Sequence, residues 1–292
     1  MESFADKLIN SCRIKKSLVL VGIDPRKEQV PDEIKKISEK HGWGEAYLQF
    51  GKAIIDSVKN HAVAIKPQVA FFEEIGPEGF TALQGVLSYA TEKGLLTISD
   101  CKRGDIGSTA KAYAAAYLSD DAPFLSDAVT VNGYLGEDGL IPFFEHCTNG
   151  KGVFVLVKTS NKGSQDFQDQ SLLSGHKLFE EVARKVALWG KSFVGKEGFS
   201  SIGAVVGATW PQEAKELREL MPSTLFLIPG YGAQGGSSAD SLASMNKDGL
   251  GGIINSSRGI IFAYENEKYK HLKDWRESIE NACSDMKKDI QL

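Results

Sequence analysis

The feature that most constrains the fold is a short apolar run that recurs eight times along the chain and ends each time in polar or glycine-rich residues. Most of these runs are continuously hydrophobic, which is typical of parallel strands that are buried on both faces. Helical patterns separate them, so each strand can begin again at the same end of a sheet. The predicted strands cover residues 18–23, 62–65, 95–98, 128–131, 153–157, 202–206, 225–228 and 252–254.

Eight strand–helix units in 292 residues indicate an α/β protein, a (β/α)8 TIM barrel with a single domain. The alternative is a doubly wound open sheet, which usually has fewer strands per domain. No linker or low-complexity tract divides the chain, so residues 1–292 are interpreted as one barrel, flanked by helices at 1–16 and 269–286. The helices predicted between strands cover residues 45–59, 79–93, 110–117, 140–147, 172–189 and 211–220.

Composition argues against several classes of function. The net charge is −4 and no basic block occurs, which argues against nucleic acid or an anionic membrane as a partner. No apolar run is long enough to span a bilayer. The four cysteines form no Cys-x-x-Cys pair, which favours a reducing compartment over a zinc site or disulfide framework. Because residues 1–16 also lack a signal-peptide core, we expect a cytoplasmic protein.

Polar side chains stand where the predicted strands end. In a (β/α)8 barrel the carboxyl ends of all strands open onto one mouth, and active sites are built there. Polar residues that are far apart in the sequence should therefore lie together in a single site. Those expected at the mouth are Asp24, Lys66, Gln68, Asp100, Lys102, Asn132, Thr159, Ser160, Gln234 and Arg258.

The densest group of charges follows the third predicted strand and contains Asp100, Lys102 and Asp105. Side chains alternate along an extended backbone, so Asp100 and Lys102 should point to the same side, about 6.6 Å apart along the strand. Together with Lys66 they could hold a carboxylate against a substrate anion and keep an ammonium group ready to donate a proton. The alternatives are a solvent-exposed salt bridge and, for Asp105, a plain carboxylate at a helix N-terminus.

The loops after the last two predicted strands have the pattern of a phosphate site. Residues 229–236 read PGYGAQGG, and residues 255–259 read NSSRG. Loops at these positions often bind phosphate in such barrels, because glycines let backbone N–H groups approach an anion and arginine adds a bidentate donor. We therefore predict phosphate contacts from Gly232, Gln234, Gly235 and Arg258. The alternative is that the glycines only allow a tight turn.

A polar segment after the fifth predicted strand is too long for an ordinary turn between a strand and a helix. Residues 161–171 read NKGSQDFQDQS. Segments of this length and composition are often functional loops, so we expect either a mobile loop or a lid.

Taken together, these segments resemble orotidine 5′-phosphate decarboxylases, in the bacterial-type subgroup that carries a DxKRGDIxxT signature. Residues 100–109 read DCKRGDIGST and match this signature at every specified position. The resemblance extends in order from about residue 20 to residue 260. Its other matching segments are VGIDP at 21–25, KPQVAFFE at 66–73, VKTSN at 157–161, and the two phosphate-loop segments.

The resemblance implies decarboxylation of orotidine 5′-monophosphate (OMP) to UMP and CO₂, the last step of de novo pyrimidine nucleotide synthesis. It also implies that no metal or organic cofactor is used and that the protein is a homodimer with shared sites. Lys66, Asp100, Lys102 and the partner subunit's Asp105 would form a catalytic tetrad, in which Lys102 stabilises and protonates the C6 carbanion.

The resemblance further implies a set of substrate contacts. Asp24 would bind the ribose, Thr159 and Ser160 the pyrimidine ring, and Gln234 and Arg258 the 5′-phosphate, beside Gly232 and Gly235. Gln68, Asn132 and the partner subunit's Thr109 complete the predicted set, and Thr109 would contact the ribose.

Two other functions remain compatible with the residues taken alone. The first is a metal-dependent sugar-phosphate decarboxylase or aldol synthase on the same barrel, which would hold magnesium through carboxylates. The second is a catalytically silent phosphate-binding or assembly protein, which would tolerate substitution of Lys102. The KPQ and RGDIGST segments argue against the first function, and the intact row of charges argues against the second.

Overall fold

The computed structural model describes residues 2–232 and 235–291. Gln234, a predicted phosphate contact, lies outside the described residues. Eight parallel strands form a closed barrel in sequence order, and the last strand pairs with the first. The predicted (β/α)8 barrel is therefore confirmed, and the doubly wound open sheet is excluded because the barrel has no free edges.

The strands lie close to their predicted positions. The third strand differs most, because it continues beyond Ile98 to Arg103 and carries the charged motif on its own end. Its register against the fourth strand is broken between Ser99 and Arg103. The strands are β1 Val19–Ile23, β2 Ala64–Pro67, β3 Leu96–Arg103, β4 Ala128–Val131, β5 Gly152–Lys158, β6 Ser200–Val206, β7 Thr224–Ile228 and β8 Gly252–Ser256.

Helices surround the barrel, and within the described residues none is both long and apolar enough to cross a membrane. Short 3₁₀ helices occur at Glu145–Asn149, Lys162–Asp166, Lys191–Phe193 and Ala263–Glu265. The α-helices are α1 Phe4–Lys15, α2 Asp32–Val58, α3 Val69–Glu73, α4 Pro77–Glu92, α5 Gly107–Leu118, α6 Glu137–Phe144, α7 Leu178–Gly190, α8 Pro211–Leu220, α9 Ser238–Leu242, α10 Arg258–Ile261 and α11 Trp275–Asp289.

The amino-terminal end of the barrel is covered by α1. Phe4 is fully buried, and its ring packs edge-on against Phe154 of β5 with the ring centroids 5.9 Å apart. A Cβ at Gly152, where β5 begins, would lie 2.2 Å from the Phe4 ring, so only glycine fits there. This helix fills one end of the barrel with apolar side chains and leaves the carboxyl ends of the strands as the open mouth.

Candidate active site

A cavity of about 470 Å³ opens at the carboxyl ends of the strands. The sequence predicted seven of the residues in its wall, namely Asp24, Lys66, Gln68, Asp100, Lys102, Thr159 and Ser160. They come from the ends of β1, β2, β3 and β5, which are far apart in sequence. The barrel therefore brings together most of the residues that the strand ends predicted.

Asp100 is the centre of a fixed row of charges at the base of this cavity. One carboxylate oxygen accepts hydrogen bonds from Lys66 Nζ at 2.7 Å and Gln68 Nε2 at 3.1 Å. The other accepts from Lys102 Nζ at 2.5 Å and Thr130 Oγ1 at 2.9 Å. Asp100 is only 7% exposed, so this is not the solvent-exposed salt bridge considered as an alternative. Four donors fix the orientation of its carboxylate.

The two lysines differ in their access to the cavity. The Lys66 side chain is 5% exposed, whereas that of Lys102 is 45% exposed. Lys102 adopts a left-handed backbone with φ of 45°, and its N–H donates to Thr130 Oγ1 at 3.0 Å. A non-glycine residue in this conformation is strained, and such strain is concentrated at functional sites. Lys66 therefore holds the carboxylate from its buried side, while the ammonium group of Lys102 is accessible from the cavity.

Electrostatics keep this row charged at neutral pH. Burial alone would raise the pKa of Asp100, but the ammonium groups of Lys66 and Lys102 outweigh it and lower the pKa below its usual range. Burial alone would lower the pKa of Lys66, but the carboxylates of Asp100 and Asp24 outweigh it and raise the pKa. The cavity base therefore holds two ammonium groups on either side of one carboxylate.

Replacing Asp100 with asparagine should lower the free energy of unfolding at pH 7 by about 3 kcal/mol, because buried Lys66 loses a counter-charge. The folded pKa of Asp100 is depressed, so its stabilisation is complete above about pH 4 and declines as the pH falls further. Urea unfolding between pH 7 and pH 2 should show the gap between variant and wild type shrinking below about pH 4. Asp121→Asn, at an exposed position, is the control, and a gap independent of pH would contradict the assignment.

Thr159 and Ser160 form the side of the cavity next to β5 and β6. Gln168 Oε1 accepts from the Thr159 N–H, and Gln168 Nε2 donates to Thr159 Oγ1, both at 2.9 Å. Trp210 Nε1 donates to the Thr159 carbonyl at 3.0 Å, and Thr209 Oγ1 donates to the Ser160 carbonyl at 3.1 Å. Two side chains therefore hold the backbone of Thr159, and one holds that of Ser160.

The cavity also contains polar residues that were not predicted as site residues, namely Thr130, Asn161, Gln168 and Asn255. Asn255 Oδ1 and Asp24 Oδ1 are buried and have no hydrogen-bond partner among residues 2–232 and 235–291. Buried acceptors of this kind carry a desolvation cost unless a donor reaches them. Two such oxygens in one wall suit a ligand that carries hydroxyl groups.

Three predicted catalytic or substrate-binding residues lie outside the cavity wall. Asp105 lies in the segment between β3 and α5, where its carboxylate accepts from the Ile106 N–H, and Thr109 is exposed on α5. Asn132 Oδ1 accepts from the Tyr134 N–H at 3.0 Å, and Asn132 lines a neighbouring groove. The structure therefore does not bring Asn132 to the charged row, because its side chain binds the turn that follows β4.

The predicted phosphate residues that the structure describes, Gly232, Gly235 and Arg258, are not part of the cavity wall. Gly232 and Gly235, after β7, have φ of 68° and 94°, which favours glycine, and the Gly235 N–H donates to the Gly232 carbonyl at 2.8 Å. Gly232 lines a groove together with Ser256 and Gly259, which flank Arg258 in sequence. Arg258 is exposed, and its side chain makes no hydrogen bond to the described residues.

Comparison with known proteins identifies the family of this chain. A family model described as "Orotidine 5′-phosphate decarboxylase / HUMPS family" matches residues 17–271. The chain belongs to the orotidine 5′-phosphate decarboxylase family. The family predicted from the sequence motifs is therefore confirmed. Within residues 2–232 and 235–291, no three or more His, Cys, Asp or Glu side chains are grouped so that they could hold a metal ion.

Relatives within the orotidine 5′-phosphate decarboxylase family match nearly the whole chain. The orotidine 5′-phosphate decarboxylase of Rhodopirellula baltica is 43% identical, and the match covers 100% of both chains. That of Caldicellulosiruptor bescii is 44% identical over 97% of this chain and 100% of the relative. The solved structure of Leishmania donovani OMP decarboxylase is 33% identical, with a TM-score of 0.78 over 99% of this chain and 97% of that one.

Proposed function

We propose that this chain decarboxylates OMP to UMP and CO₂, the last step of de novo pyrimidine nucleotide synthesis, without a cofactor. Membership of the orotidine 5′-phosphate decarboxylase family supports the reaction. The observation that carries the proposal is the row formed by Lys66, Asp100 and Lys102 at the base of the cavity. In this row an ammonium group is fixed beside a carboxylate, and both face a space large enough for a ligand.

The chemistry of the reaction accounts for this arrangement. Breaking the bond between C6 and the carboxylate releases CO₂ and leaves the electron pair on C6, where no carbonyl in line can delocalise it. A fixed ammonium group stabilises such a carbanion electrostatically, and more strongly in the transition state than in the ground state. In the proposed step, Lys102 Nζ stabilises this charge and donates a proton to C6, and solvent then restores its proton. Asp100 lies against the departing carboxylate and orients Lys102.

The rest of the proposed site binds the substrate. Asp24, whose Oδ1 is buried without a partner among the described residues, accepts from the ribose hydroxyls. Thr159 and Ser160 contact the pyrimidine ring, and Gln68 holds Asp100. Binding energy from parts of the substrate remote from C6 can be used to exclude water and to orient the reacting bond.

Incubation of the protein with OMP in D₂O tests the reaction and its proton transfer together. The lysine ammonium exchanges with solvent, so the product should be UMP that carries deuterium at C6, visible by proton NMR as loss of the H6 signal. UMP incubated alone with the protein should keep that signal, which is the control. Failure to form UMP would contradict the proposal.

Replacing Arg258 with alanine should lower kcat/KM for OMP by about 100-fold, since a charge-assisted contact to the phosphate is worth up to about 3 kcal/mol. Arg258 is exposed beside Gly259 at the groove that Gly232 lines, so the fold should be unaffected. Steady-state kinetics of this variant and of Arg184→Ala, an exposed arginine on α7, provide the comparison. Normal kinetics in Arg258→Ala would remove Arg258 from the site.

The proposed enzyme is a homodimer in which each subunit completes the cavity of its neighbour. Asp105 and Thr109 lie outside the cavity of their own chain, which supports a role in the neighbouring one. Exposed apolar side chains lie nearby: Ile106, directly after Asp105, is 55% exposed, and Tyr134 and Leu135, in the loop after the neighbouring strand β4, are 81% and 49% exposed. Their exposure supports a protein–protein contact on this side of the barrel.

The proposed location is the cytoplasm. The cysteines Cys12, Cys101, Cys147 and Cys283 are free and buried. Buried free thiols support a protein that folds under reducing conditions. A metabolic enzyme of nucleotide synthesis would also meet its substrate there.

A further inference from the structure

The segment between β5 and α7 contains residues 161–171, which the sequence predicted to be a mobile loop or a lid. It is attached to the barrel through a buried lysine. Lys158 is the last residue of β5, and its side chain is fully buried. Its Nζ lies 5.1 Å from the centroid of the Phe179 ring and 4.8 Å from that of the Trp210 ring. Lys158 therefore points away from the cavity, into the layer between the barrel and its helices.

The counter-charge for Lys158 comes from the segment itself. Both carboxylate oxygens of Asp169 accept from Lys158 Nζ at 2.8 Å. Burial alone would raise the pKa of Asp169, but its interactions with Lys158 and, to a smaller extent, Lys177 outweigh this and lower the pKa. Removing one partner of a buried ion pair leaves an uncompensated charge, which is strongly unfavourable. The segment therefore cannot leave the barrel without leaving Lys158 unpaired.

The residue before Asp169 connects this ion pair to the cavity. Gln168 lines the cavity, and its side-chain amide makes two hydrogen bonds to Thr159, one to the backbone N–H and one to Oγ1. Thr159 directly follows Lys158 in the chain. The ion pair links Lys158 to Asp169, and the two hydrogen bonds link Thr159 to Gln168. Peptide bonds join Lys158 to Thr159 and Gln168 to Asp169, so these four residues form a closed ring of contacts.

We propose that Lys158 and Asp169 are a positioning pair that fixes Gln168 against Thr159 and so shapes the wall of the cavity that receives the pyrimidine ring. The proposal rests on the proposed function, because it deepens the assignment of that wall to the pyrimidine. It makes residues 161–171 a fixed wall of the site and not a lid. Asp169 and Lys158 do not touch the substrate and act through Gln168.

The kinetic test is a double-mutant cycle between Gln168 and Asp169. Gln168→Ala and Asp169→Ala should each lower kcat/KM for OMP by about 10- to 100-fold, because small displacements of a positioning residue are costly. If Asp169 acts through Gln168, the double variant should lose little more than the worse single variant. If the kcat/KM losses of the two single variants multiply in the double variant, or if Asp169→Ala has normal kinetics, the proposal is overturned.

The matched control uses the other cation near the same carboxylate. Lys177 Nζ lies 3.6 Å from Asp169 Oδ1, but its side chain is 45% exposed. Lys177→Gln should change kcat/KM by less than about twofold, since exposed ion pairs contribute little. Should Asp169→Ala fail to fold, Asp169→Asn keeps the shape of the side chain, removes its charge, and is expected to show the same coupling to Gln168.

A second readout does not depend on turnover. The Thr159 N–H donates to Gln168, so its hydrogen exchange in Asp169→Ala should be about 10-fold faster or more, while the amides of β1 stay protected. If the hydrogen exchange of the Thr159 amide is unchanged in Asp169→Ala, the proposed positioning role is overturned, even if the enzyme is active. Absence of OMP turnover by the wild-type protein would instead overturn the proposed function, and exchange at Thr159 would still test the pair.

Discussion

Replacing Lys102 with alanine should lower kcat/KM for OMP by about 10⁴-fold or more, since one group supplies both electrostatic stabilisation and the proton. Lys102 contributes the half-exposed ammonium group of the row, and its removal leaves Lys66 paired with Asp100. The fold should therefore survive, and the melting temperature should stay near that of the wild type.

Steady-state kinetics and thermal unfolding check this expectation together. Lys215→Ala, which removes an exposed lysine of α8 far from the charged row, should behave as the wild type in both measurements. A loss of less than about 10-fold in kcat/KM for Lys102→Ala would be too small for a group that both stabilises and protonates the carbanion.

Mixing Lys102→Ala and Asp105→Ala, each of which is expected to be inactive alone, should restore about one quarter of the wild-type activity if the subunits exchange freely in a symmetric dimer. Half of the dimers would then be mixed, and each mixed dimer would have one site with both substitutions and one site with none. The expected gain follows from the position of Asp105 outside the cavity of its own chain. Co-expression with two affinity tags isolates the mixed dimer for assay.

The matched control for this experiment pairs Lys102→Ala with Asp100→Asn. Both residues belong to the cavity of the same chain, so a mixed dimer has one substitution in each site and should gain no activity. If the first pair also gains nothing, or if Asp105→Ala alone is fully active, Asp105 does not complete a neighbouring site.

The barrel and the centre of its site could be predicted because they follow from local patterns. Continuous apolar runs fixed the strands, and the parallel arrangement placed their polar ends at one mouth. Alternation along the strand placed Asp100 and Lys102 on one side, and in the structure they form an ion pair. The prediction did not include the left-handed backbone of Lys102 or the continuation of β3 through the motif.

Residues that reach the site through side-chain contacts could not be identified in the same way. Asn132 was chosen because it follows β4, whereas the cavity contains Thr130, two positions earlier on the strand. The alternation of side chains along β4 was the signal that could have indicated Thr130. No comparable pattern in the sequence indicated Gln168, because its position in the cavity wall depends on the ion pair between Asp169 and Lys158.

The helix boundaries differ from the predicted ones where a capping side chain or a non-helical glycine determines them. α11 begins at Trp275 and not at residue 269, because the Asp274 side chain accepts from the Arg276 N–H and caps the first turn. α2 spans Asp32–Val58 but has a non-helical backbone at Gly42, where φ is 83° and ψ is 168°. The helical backbone is interrupted there, so the predicted helix at 45–59 corresponds to the part of α2 that follows Gly42, and the part before it was not predicted.

Ultraviolet absorbance of OMP mixed with the purified protein, with and without EDTA, tests the central claim most directly. The proposed function predicts conversion to UMP at the same rate in both samples, because the chain's own lysines stabilise and protonate the carbanion. Absence of conversion, or conversion that EDTA abolishes, would contradict cofactor-free decarboxylation at the row formed by Lys66, Asp100 and Lys102.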